Sequence, residues 1–87
     1  MTIVEIVGLM SENDKNLLLN MLNYFAKINV CITKNEKVDT VTLGVKLKVY
    51  MDLCKKYSLP LVSNIDFEKS PELIQPFILS QLSMFYN

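Results

Sequence analysis

The sequence predicts an α/β protein in the order β-α-β-β-α-β-α, a central, mostly parallel four-stranded sheet flanked by helices. Three observations predict it. β-Branched residues crowd into short runs at residues 2–8, 28–33 and 38–43, apolar residues recur at three-and-four spacing through 12–26 and 45–57, and Gly8 and Gly44 close two of the runs.

Residues 2–8 read Thr-Ile-Val-Glu-Ile-Val-Gly, a strand buried on at least one face and ended by its glycine. Ser11 with Asp14 three positions later is a capping signal, so a helix is expected from about Glu12 to Ala26. Leu18, Met21, Leu22 and Phe25 mark its buried stripe, while Asp14, Lys15, Asn16, Asn20 and Asn23 supply polar positions. Ile28, Val30 and Ile32 alternate with Asn29, Cys31 and Thr33 as a second strand, followed by a polar turn at residues 34–37. Val38, Val41 and Leu43 suggest a third strand that stops at Gly44. From Val45 to Tyr57, Val49, Leu53 and Tyr57 return at helical spacing, with Lys55 and Lys56 near the negative end. Residues 59–63 form a short apolar run whose Pro60 suits the start of a strand. Ser70 and Pro71 resemble an N-cap and first helical residue, opening a last helix to about Phe85, with a kink or break expected at Pro76.

With 87 residues, 51% of them apolar, and only two Gly and three Pro, the chain has material for one small core and little for a disordered tail. Residues 1–70 are expected to form the sheet domain. Residues 71–87 add an apolar helix that packs on that domain or on a partner.

Nine Lys balance nine Asp and Glu, and His, Arg and Trp are absent. Without His there is no ordinary neutral-pH proton shuttle, no Ser-His or Cys-His pair and no imidazole metal ligand. The acidic residues show no paired-carboxylate or metal-loop spacing. No catalytic residue, metal site or cofactor is expected. A zero formal charge without Arg lacks the positive surplus of a duplex-binding domain, so no direct nucleic acid partner is expected. No apolar stretch reaches the ~18 residues of a membrane span, so no membrane partner is expected either. Cys31 and Cys54 form no CxxC motif and sit inside apolar runs, as buried reduced thiols do.

The order of these elements, with residues 4–9 (Val-Glu-Ile-Val-Gly-Leu) before a capped helix, 38–43 (Val-Asp-Thr-Val-Thr-Leu), a Lys-bearing helix, and 59–63 (Leu-Pro-Leu-Val-Ser) ahead of Phe67, resembles a BRCT domain. The resemblance covers about residues 2–70. It implies a protein–protein module of a nuclear DNA repair, checkpoint, replication or chromatin factor, with a cytoplasmic setting as the alternative. Phosphopeptide-binding members use a hydroxyl residue before Gly-Leu, the next backbone amide and a Lys near the start of the second helix. Transferred to this chain, these become Gly8 with Lys46 or Lys48, while Val7 stands where the hydroxyl belongs. Lys46 and Lys48 lie roughly 200° apart around a helix, so solvated lysines on an amphipathic face are the plain alternative.

The C-terminal segment carries more apolar surface than one stripe needs, because Leu73, Phe77 and Met84 and then Ile74, Ile78, Leu82 and Phe85 form two sets at helical spacing. Either the helix folds back over its own domain, or Phe77, Ile78 and Phe85 dock a protein partner or a second copy in a homodimer. A second resemblance starts from residues 55–64 and 70–73 with the apolar helix behind them. They are similar to the cytoplasmic export-switch domain of flagellar and type III secretion systems, without that family's Asn-Pro-Thr-His cleavage motif. The leading expectation is a non-catalytic interaction module.

Overall fold

The computed structural model describes residues 2–60 and 71–86. Among them there is no strand, and the predicted four-stranded sheet is replaced by helices: α1 (Ile3–Leu9), α2 (Glu12–Thr33), α3 (Thr40–Tyr57), a 3-10 turn (Pro71–Leu73) and α4 (Ile74–Tyr86). The expected α/β class is therefore corrected to all-α. The fold that the BRCT resemblance implied is not the fold observed.

Each correction has a local cause in capping. Thr2 caps α1, its hydroxyl oxygen accepting from the Glu5 N–H at 3.2 Å while the hydroxyl donates to the Glu5 carboxylate at 3.2 Å. This variant of the capping box fixes a helical start in a run whose β-branched residues favour a strand. Ser11 caps α2 by accepting from the Asp14 N–H at 3.2 Å, as expected, but the helix continues seven residues beyond Ala26, through the segment expected to be a second strand. It stops where Asn35 takes a left-handed φ of 60°, with the Glu36 N–H donating to the Cys31 carbonyl at 2.8 Å and the Asn35 N–H to the Ile32 carbonyl at 3.1 Å. These two bonds make a Schellman ending. Asp39 caps α3, its Oδ1 accepting from the Val41 and Thr42 N–H groups at 3.1 and 3.2 Å and its Oδ2 accepting from the Thr42 hydroxyl at 2.7 Å. The helix consequently starts at Thr40, inside the expected third strand, rather than at Val45.

Burial decides between the two periods. A strand over residues 38–43 places Val41 and Leu43 on one face. Instead Leu43 is 2% exposed and Val41 76%, on opposite sides of α3. Of the expected fourth strand, Leu59 and Pro60 follow α3 outside any regular element, and residues 61–63 lie outside the described residues, as do Phe67 and Ser70.

The three longer helices share one core. Leu18, Met21, Leu22, Phe25 and Ile28 of α2 meet Leu43, Leu47, Tyr50, Leu53 and Cys54 of α3, and Phe77 and Ile78 of α4, with Met10 and Leu59 at the ends. Phe25 and Tyr50 pack edge to face, centroids 5.1 Å apart at 84°. Gln81 is buried, and its side-chain oxygen accepts from the Tyr50 hydroxyl, which satisfies both polar groups and fixes α4 against α3. The Gln75 amide donates to the Asn29 side-chain oxygen at 3.2 Å, tying α4 to α2. Residues 71–86 are thus part of the same core as α2 and α3. The segment passes from 3-10 to α-helix at Ile74, which puts Pro76 in the first turn of α4, where its missing N–H has no intrahelical partner to lose.

Candidate interaction surface

With Leu43, Leu47, Tyr50, Leu53 and Cys54 turned inward, a stripe at i, i+3, i+4, i+7 and i+11 is exposed on α3: Val41, Gly44, Val45, Lys48 and Asp52. Val41 and Val45 are 76% and 60% exposed. Between them a Cβ built on Gly44 meets nothing within 4 Å. A glycine in the interior of a helix costs about 1 kcal/mol relative to alanine. Here the chain's own packing gives no reason for it, and φ at Gly44 is not positive.

The two lysines transferred from the phosphate-binding pattern take different environments. Lys46 is half-buried and leans over the Tyr24 ring, Nζ 5.7 Å from the centroid, whereas Lys48 belongs to the outward stripe. Burial, then the nearby Asp39 charge, pushes the Tyr24 hydroxyl up from its ordinary value. Gly8 lies in the last turn of α1, the pole where carbonyls rather than amides are left unpaired. The residues assigned to a partner interface sit differently again: Phe77 and Ile78 are in the chain's own core, and Phe85 is half-buried against it.

At the other end of the α2–α3 pair a polar cluster closes the hairpin. The Asp14 carboxylate accepts from the Tyr57 hydroxyl and from the Lys56 ammonium, the latter at 2.9 Å. The Tyr57 bond first, then the Lys56 bond, holds Asp14 below its ordinary 3.8, and the same carboxylate raises Lys56. Because the folded value lies below the unfolded one, Asp14 stabilises the native state above pH ~4, and that contribution is lost as pH falls through the lowered folded value. The Tm difference between wild type and Asp14→Asn should therefore be present at pH 6 and vanish in the strongly acidic range. A difference that persists unchanged into acid would show that the carboxylate charge is not its source.

Beside this cluster Leu17, Val49, Asp52, Leu53 and Lys56 line a surface groove of about 230 Å³ between α2 and α3. Among the described residues no group of three His, Cys, Asp or Glu side chains is placed to hold a metal ion. Cys31 and Cys54 are free thiols, and burial pushes the Cys54 thiol up, away from the reactive thiolate. Also among the described residues, no helix is long and apolar enough to cross a membrane. Compared with protein-family models, curated proteins and solved structures, the chain matches none of them.

The outward face of α3 is the feature that strand reasoning missed. Its signal was present in Asp39 followed by Thr42, a helix cap that places Gly44 in a helix interior instead of at a strand's end.

Proposed function

We propose that the chain is a non-catalytic protein–protein interaction module whose outer α3 face receives another polypeptide. The observation that carries the reading is the pair of exposed valines, Val41 and Val45, around an exposed interior glycine. A helix that spends stability on a bare glycine between two uncovered apolar side chains is suited to close contact with a second backbone. The absence of His from the sequence leaves acid–base and nucleophilic chemistry without their usual carrier. The genome-maintenance setting is not carried forward, because it rested on strands that are helical here, and neither is the phosphopeptide site, because Gly8 lies in the last turn of α1 and not ahead of a helix start.

The test is a photo-crosslinking residue placed in living cells at position 45, and in parallel at exposed Asn13. The reading expects a discrete protein adduct from position 45 and none from position 13. No adduct from position 45, or equal adducts from both, would contradict it.

A further inference from the structure

We propose that α1 is a lid, which swings off the core about Met10 and Ser11 and loses its helix while α2, α3 and α4 stay packed. It is a conformational device separate from the outer α3 face.

The attachment of α1 is purely apolar and shallow. None of its residues is buried, and Ile3, Ile6 and Val7, each half-buried, pack against the core. Among the described residues no side-chain hydrogen bond or ion pair joins α1 to another element, because the Thr2 hydroxyl and the Glu5 carboxylate bond to each other. The other helices are tied by polar bonds as well, α2 to α3 through Asp14 with Lys56 and Tyr57, and α2 to α4 through Asn29 with Gln75.

A hinge separates α1 from α2. Met10 (φ −72°, ψ 150°) and Ser11 (φ −63°, ψ 157°) are both extended. The Met10 N–H turns back to the Val7 carbonyl at 3.1 Å and the Lys15 N–H to the Ser11 carbonyl at 2.9 Å, so each helix closes on itself. Met10 is 4% exposed and anchors the pivot in the core.

Away from the core α1 has no means of staying helical. Its seven residues fall short of the roughly 12–15 that hold a helix in water, and Ile3, Val4, Ile6 and Val7 are β-branched. Gly8 lowers the propensity further. Released, the segment favours the extended form. Docking and helix are therefore gained and lost together, and opening bares the apolar surface beneath Ile3, Ile6 and Val7.

Native-state hydrogen exchange of the full chain in low urea tests this. The amides of residues 6–9 should be at least about a hundredfold less protected than those of Phe25 and Tyr50, and their exchange should barely respond to urea while the core amides accelerate. Gly8→Ala, whose new Cβ meets nothing within 4 Å, should raise the protection of residues 6–9 about fivefold. Gly8→Pro should abolish the positive Cα secondary shifts of residues 3–7 while α2, α3 and α4 keep theirs. Residues 6–9 sharing the protection and urea slope of Phe25 and Tyr50 would overturn the proposal. So would Gly8→Ala without effect on that protection, or Gly8→Pro that either leaves α1 helical or unfolds the other three helices with it.

Discussion

Ile78→Asp is expected to unfold the chain. Ile78 is 0% exposed in the core, on the helix that carries buried Gln81 one turn later. The substitution forfeits about 1.5–3 kcal/mol of apolar burial. It also places a carboxylate in a low-dielectric interior, at a cost of several kcal/mol unless it protonates. A chain of 87 residues has roughly 4–13 kcal/mol of stability to lose. Far-UV circular dichroism should show the helical signal collapse at 25 °C. If Ile78→Asp instead kept full helicity and lost only binding to a partner, the inner face of α4 would be a partner surface and not core.

Phe25→Ala should cost about 3–5 kcal/mol in a urea unfolding series. Phe25 is fully buried and lies edge-on to Tyr50, so its removal opens a cavity at the centre of the α2–α3 contact and withdraws the aromatic pair. Val41→Ala, on the outer face of the adjoining helix, should change stability by no more than about 0.5 kcal/mol. The contrast checks the inside and outside of α3 together. Equal losses at both positions would mean that the two faces of α3 have been exchanged.

The helical parts of the chain were legible where period and cap agreed. Ser11 and the stripe from Leu18 to Phe25 locate the start and inner face of α2, and Leu53 with the terminal lysines locates the end of α3. The strand expectations arose where β-branched residues sit inside helices. Ile28, Val30 and Ile32 alternate with polar neighbours, yet Ile28 and Ile32 also fall four apart, one helical turn, and continue the stripe that begins at Leu18. Only the next turn decides between the two, and there Asn35 supplies the left-handed residue that ends a helix. At Thr2 and Asp39 the capping residues are present in the sequence, and they prevail over the strand propensity of the residues that follow them. Tertiary packing overrides such propensities routinely. The buried Tyr50–Gln81 bond was not legible, because it joins positions 31 apart through a helix pairing that no local pattern specifies. The candidate surface was hidden by the same error. With Gly44 taken as a strand terminus, its absence of a side chain had a ready explanation, and only a helical α3 leaves that absence unexplained.

Backbone chemical shifts at residues 28–33 and 40–45 test the account most directly, because both the core and the outer α3 face depend on these segments being helical. Positive Cα secondary shifts running without interruption through each segment are the predicted result. Negative shifts there would restore extended strands, turn Val41 to the same side as Leu43, and remove the surface on which the proposed association rests.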